Sequence, residues 1–221
     1  MKPLPRPLAG VFFDLDGTLV DSARDMYDAL VALCHERGSA PPEFASVRET
    51  VSRGARAVLR CGFGDEEAAI DEVLPRFLEL YVETGMRNTH LFPGIERLLQ
   101  RLESHGVPWG VVSNKAGDLV ALVLAAVGCE RRPAAVVGGD TLPQRKPDPA
   151  PVRYACELAG VVPAQCVFVG DDPRDIAAGR AAGLYTVAAG WGYLGGDDPR
   201  MWKPDAIAID AEQLSGWLDE A

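Results

Sequence analysis

Histidine and cysteine are both thin in this chain, with 3 and 5 among 221 residues. His35, His90 and His105 share no ligand spacing, and Cys34, Cys61, Cys129, Cys156 and Cys166 include no CxxC pair. That excludes a Cys/His zinc centre and a paired disulfide framework, and the cysteines read as reduced thiols packed in a core. Positive charge is short as well: 22 Lys and Arg against 32 Asp and Glu give a formal net charge of -10. Such a surface repels nucleic acid and anionic membranes, so an anionic substrate needs a locally positive pocket. No long apolar run occurs. The opening MKPLPRPLAG is broken by charge and proline and lacks the centre of a signal peptide, and the longest apolar run, 119–127, is too short to cross a bilayer. The expectation is a soluble cytoplasmic monomer or homodimer whose partner is a small molecule, not nucleic acid or membrane. There is no internal repeat and no low-complexity segment.

What is present is an alternation. Short apolar runs at 10–13, 109–112, 134–137, 167–169, 185–188 and 206–209 read as strands buried on both faces. Between them lie helical patterns, such as Ile95, Leu98, Leu99 and Leu102 or Leu119, Leu122, Val123 and Ala126, at i, i+3, i+4, i+7. Buried strands alternating with amphipathic helices imply an α/β fold, a Rossmann-like doubly wound parallel sheet. One stretch departs from this: 22–87 carries helical patterns only, around 26–34, 44–59 and 66–82. It reads as an all-helical cap domain, 21–88, inserted into a core made of 1–20 and 89–221. Hinges are expected at 19–21 and 89–94, where Phe92-Pro93-Gly94 disfavours helix.

Ligands of parallel α/β sheets bind beyond the carboxyl ends of strands. The polar residues expected there are Asp14, Asp16 and Thr18 after the first strand, Ser113 and Asn114 after the second, Lys146 in the loop after the third, and Asp171, Asp172 and Asp175 after the fourth. Converging acids repel one another unless a cation or a retained proton intervenes. Hard carboxylate oxygens without nearby His or Cys favour Mg2+. Ser113 and Lys146 supply a hydroxyl donor and a point charge for a phosphate, a composition suited to phosphoryl transfer. Structural alternatives stand beside these: Ser113-Asn114 can cap the next helix, and Asp172 before Pro173 is a complete N-cap signal, with Asp175 favoured in the first turn by the helix dipole.

DLDGT, Ser113, Lys146 with Pro147, and GDDPRD, in this order, resemble the four motifs of haloacid dehalogenase-type hydrolases over nearly the whole chain. The resemblance implies that Asp14 is a nucleophile forming an aspartyl-phosphate and that Asp16 is general acid and base. It implies magnesium ligands in the Asp14 side chain, the Asp16 backbone carbonyl and Asp171, with Ser113, Asn114 and Lys146 binding phosphate and Thr18 and Asp175 in support. Asp14 must then attack ionised while Asp16 begins with a proton. A dehalogenase or phosphonate hydrolase would not need Asp16. A sugar phosphomutase shares the first motif, and a non-catalytic binding protein on this fold is expected to have lost one of these acids or Lys146. Within the phosphatases, FDLDGTLVDS and VVSNK most resemble phosphoglycolate phosphatases, while SRGARAVL, WGVVSNK and GDDPRDI also resemble N-acetylmuramic acid 6-phosphate phosphatases. In the cap, Arg53, Gly54 and Arg56 of SRGAR are the candidate substrate contacts, and GWGY after the fifth strand is a candidate cleft wall.

Overall fold

The computed structural model describes residues 3–219, so the first two and last two residues of the expected core lie outside the described residues. Six parallel strands form the main sheet in the order β5-β4-β1-β6-β7-β8. They are β1 (Gly10–Phe13), β4 (Trp109–Val112), β5 (Ala135–Val137), β6 (Cys166–Gly170), β7 (Tyr185–Ala189) and β8 (Ala206–Ala208). Phe13 pairs with Val111 on one side and Val169 on the other, placing β1 at the centre. Alternate residues along these strands feed different cores, as the period of two requires. Val11, Phe13, Val111 and Val167 join the cluster containing Leu98, Leu99, Val120 and Leu214. These belong to α5 (Ile95–Ser104), α6 (Gly117–Ala126) and α9 (Ala211–Asp219). Phe12, Val112 and Phe168 join Val152, Cys156 and Ala178 of α7 (Ala150–Ala159) and α8 (Pro173–Ala182). Helices on both faces of a parallel sheet are what the doubly wound reading requires.

The two expected hinges pair with each other. β2 (Val20–Asp21) and β3 (His90–Leu91) form a two-stranded antiparallel ribbon with Val20 opposite Leu91. Between them the chain is helical: α1 (Ala23–Glu36), α2 (Phe44–Arg48), α3 (Ala55–Phe63) and α4 (Glu67–Glu83). The ribbon is strapped by Asp25 at the start of α1, a fully buried carboxylate that accepts bonds from Asn88 N at 3.0 Å and Thr89 Oγ1 at 2.7 Å.

The single helix expected over 44–59 is not continuous. α2 ends at Arg48, a 3-10 turn spans Val51–Arg53, and Gly54 then adopts φ 89° before α3 begins. Only glycine takes that conformation without strain, so SRGAR is a helix junction. Arg53 and Arg56 therefore lie on different elements.

Candidate active site

β1 ends in the DLDGT loop. Leu15 is fully buried, and its carbonyl accepts from Leu19 N and Val20 N at 3.0 Å, closing a tight turn. Asp14 and Asp16 flank that buried side chain, and both line one cleft of about 500 Å³ between the sheet edge and the helical cap. Four adjacent strands supply this cleft and its floor: Lys146 follows β5, Ser113 and Asn114 follow β4, Asp14 follows β1, and Asp171 with Asp175 follow β6. The strand-end placement read from the sequence is what the sheet order produces.

Lys146 is the hub. Its Nζ lies 2.7 Å from Asp14 Oδ1 and 2.7 Å from Asp175 Oδ1, and donates to Val112 O at 2.6 Å, with a side chain only 3% exposed. Burial opposes its charge, but Asp14 and Asp175 outweigh that and hold the ammonium above the usual lysine range. The backbone of Lys146 is fixed by Asn114: Asn114 Oδ1 accepts from Lys146 N and Asn114 Nδ2 donates to Lys146 O, each at 3.0 Å. Asn114 thus positions the lysine and does not cap α6, and Ser113 Oγ accepts from Lys115 N at 3.2 Å.

Asp14, Asp171 and Asp175 each offer a carboxylate oxygen within 4.8 Å of the others, and all three are buried. Burial raises Asp14 above the ordinary carboxylate range against the pull of Lys146. Burial and then the Asp14 and Asp175 charges raise Asp171 well above it, and burial with Asp14 pushes Asp175 up to about 7. One ammonium cannot neutralise three carboxylates, so the cluster calls for a cation or retained protons. Its donors are all hard oxygens, which fits Mg2+.

Asp16 and Asp175 meet this cluster in different ways. The Asp16 carboxyl is not part of this cluster: it accepts from Ser22 Oγ and from Lys115 Nζ, the latter at 2.8 Å. Its backbone carbonyl is linked to the cluster through Ser52, whose hydroxyl donates to Asp171 Oδ2 at 2.6 Å and lies 3.3 Å from Asp16 O. Asp175, expected in support, contributes a carboxylate to the cluster while also forming a capping box with Asp172, whose amide donates to Asp175 Oδ2 at 3.1 Å. Asp172 is an N-cap, accepting from Arg174 N at 2.9 Å. Thr18 Oγ1 donates to Asp171 Oδ1 at 3.1 Å.

The GWGY segment, expected as a cleft wall, is not among the described residues that line the cleft, and it meets the site through Asp171 instead. Tyr193 N donates to Asp171 Oδ2 at 2.8 Å, and Tyr193 OH donates to Asp21 Oδ1 at 2.6 Å while accepting from Ser22 N at 2.9 Å. Gly192 is required there, since a Cβ would collide with Asp171 Cβ and Gly17 O. In the cap, Arg53 faces Asp197 at 3.7 Å and is half exposed, whereas Arg56 is bound by Glu67 at 2.9 Å and by Asp71. Sequence reasoning passed over Lys115, Ser52 and Tyr81. Lys115 and Ser52 stand inside quoted strings, VVSNK and SRGAR, but only the fold brings them to Asp16.

The family profile described as haloacid dehalogenase-like hydrolase matches residues 11–189. A phosphoglycolate phosphatase of Xanthomonas campestris pv. campestris is 48% identical over 206 residues, covering 92% of this chain and 93% of that protein. An N-acetylmuramic acid 6-phosphate phosphatase of Pseudomonas aeruginosa is 36% identical over 217 residues, covering 97% and 96%. Among solved structures, a protein of Haemophilus somnus described as a predicted phosphoglycolate phosphatase superposes with a TM-score of 0.84 at 29% identity, covering 94% of this chain and 96% of that one. With its motifs gathered at one sheet edge and its relatives named for phosphate-ester hydrolysis, this chain belongs to the haloacid dehalogenase-like hydrolases and is a phosphatase.

Proposed function

We propose that this phosphatase is magnesium-dependent, hydrolyses phosphoglycolate, and works through an aspartyl-phosphate on Asp14. The observation that carries the reading is the buried Lys146 ammonium, 2.7 Å from Asp14 and from Asp175 beside Asp171. It is a compact cationic floor for a phosphate, set among acids that suit a divalent ion. Asp14, Asp171, Asp175 and the Asp16 carbonyl would hold Mg2+, which when bound offsets the charge of the phosphoryl group. Lys146 and Ser113 orient the phosphate for in-line attack by Asp14, and Asn114 keeps Lys146 in place. Asp16 protonates the departing ester oxygen, then takes a proton from the water that hydrolyses the acyl-phosphate. Residues 21–88 act as the cap over a core of 1–20 and 89–221, excluding water, with Arg53, Gly54 and Arg56 at the cleft rim.

The curated relatives' names support phosphoglycolate first. A cleft of about 500 Å³, walled in part by Met26, Leu74, Leu78 and Leu119, favours a bulkier second substrate, N-acetylmuramic acid 6-phosphate. The test is phosphate release from both esters with and without Mg2+. Release from phosphoglycolate that chelator abolishes and magnesium restores is expected. No release from it, or full turnover in chelator, rejects the proposal, and faster release from the amino-sugar phosphate selects the second reading.

A further inference from the structure

Inside the cleft, a second cationic position stands apart from the phosphate floor. Lys115 follows β4, and its side chain is 8% exposed. Its Nζ donates to Asp16 Oδ1 at 2.8 Å and to Tyr81 OH at 2.9 Å. Tyr81 belongs to α4 of the cap and is 1% exposed, so the pair joins core to cap across the cleft. An ammonium has three N–H donors, and a phenol has one O–H besides the lone pairs that accept. Two of the Lys115 donors are used, and Tyr81 OH is used only as an acceptor. Among the described residues, the third N–H of Lys115 and the O–H of Tyr81 have no acceptor, although both groups line the cleft. Two unspent donors on atoms 2.9 Å apart match the two oxygens of a carboxylate.

We propose that Lys115 and Tyr81 form the receptor for a substrate carboxylate, and so determine specificity for phosphate esters bearing a carboxylate next to the ester carbon. The inference rests on the functional reading above and deepens it. In phosphoglycolate a single methylene separates the ester oxygen from the carboxylate. Asp16 must lie within hydrogen-bond reach of that ester oxygen to protonate it, so the carboxylate must bind beside Asp16. Lys115 is the ammonium bonded to Asp16. The rim arginines are less available: Arg56 is engaged by Glu67 and Asp71, and Arg53 faces Asp197. Burial keeps the Tyr81 phenol above its usual range, with Lys115 pulling the other way, so it retains the proton it would donate.

The experiment compares phosphoglycolate with 2-hydroxyethyl phosphate, which replaces the carboxylate by a neutral hydroxymethyl group of similar size. For each variant the readout is the ratio of kcat/KM on the two esters. Tyr81→Phe keeps the ring and removes only the hydroxyl. It is expected to raise KM for phosphoglycolate by about 10-fold, the usual size for one hydrogen bond to a charged group, and to leave KM for the neutral ester unchanged. Lys115→Met should collapse the ratio by about 100-fold, and Lys115→Arg should restore part of it. Equal effects of Tyr81→Phe and Lys115→Met on both esters overturn the receptor, as does a collapse of the ratio in Arg53→Ala with none in Tyr81→Phe. Failure of the wild type to release phosphate from phosphoglycolate overturns the functional reading, and the receptor with it.

Discussion

Replacing Asp171 by asparagine should stabilise the metal-free protein while removing its response to magnesium. Asp171 shares its surroundings with Asp14 and Asp175, each offering an oxygen within 4.8 Å. At an effective dielectric of about 20, each ionised pair at that separation repels by about 3.5 kcal/mol. Lys146 sits among the same groups, and its lost attraction to Asp171 offsets about one such pair. About 3.5 kcal/mol remains where all three acids are ionised, or about 7–14 °C in Tm for a chain of this length. Asparagine also fits the hydrogen bonds: its oxygen can keep Tyr193 N and Ser52 Oγ, and its amide can donate to Thr18 Oγ1, which now accepts. The gain depends on pH. Asp175 is raised from about 3.8 to about 7, so between those values the folded protein binds more protons than the unfolded chain. Stability from this group is therefore full below about 3.8 and lost as pH rises through about 7. Thermal melts in chelator should show the wild type losing Tm between about pH 5.5 and about pH 8, and Asp171→Asn losing less. Added Mg2+ should raise the wild-type Tm at the higher pH and leave the variant unmoved. A variant less stable than wild type at about pH 8 in chelator, or one that Mg2+ stabilises equally, would refute the electrostatic account of the cluster.

Other outcomes follow from named contacts. Asp16→Asn keeps the Lys115 contact through its amide oxygen but cannot shuttle a proton, so kcat on alkyl phosphates should fall by about 10²–10⁴-fold. Steady-state assays retaining most of the turnover would remove Asp16 from proton transfer. Tyr193→Phe strands Ser22 N, while Ala23 N keeps Asp21 Oδ1 at 3.2 Å as an alternative acceptor. One orphaned buried donor costs about 1–3 kcal/mol, and urea unfolding that shows no loss would contradict the stabilising role of the Tyr193 hydroxyl. Ser52→Ala removes the hydroxyl that joins the cap junction to Asp171, and should weaken Mg2+ binding measured by calorimetry. An unchanged affinity would separate Ser52 from the metal site.

The sheet and the placement of polar residues at its strand ends were legible in the sequence because both are local signals. β1 and β4 occupy the expected residues, and the remaining strands of the main sheet differ from their apolar runs by one or two residues, where pairing and not hydropathy sets the end. Asp172 was readable as a cap because Asp-Pro carries its own geometry. The break at Gly54 was not readable from periodicity, since apolar spacing continues across it while the backbone turns to a positive φ. Lys115 and Ser52 escaped for a different reason. Their partners Asp16 and Asp171 lie 99 and 119 residues away in the chain, and only the fold brings them together.

The claim that Asp14 is a nucleophile, and not only a neighbour of Lys146, is tested most directly by rapid-quench labelling with a 32P-labelled aryl phosphate. Asp16→Asn is the enzyme to use, because it should be phosphorylated by a good leaving group yet hydrolyse the phosphoenzyme slowly for want of a base. An acid-stable, hydroxylamine-labile label on the peptide containing Asp14, absent when Asp14 is also replaced by asparagine, is the predicted result. Rapid phosphate release with no such label on the protein, or a label that survives the loss of the Asp14 carboxylate, would contradict it.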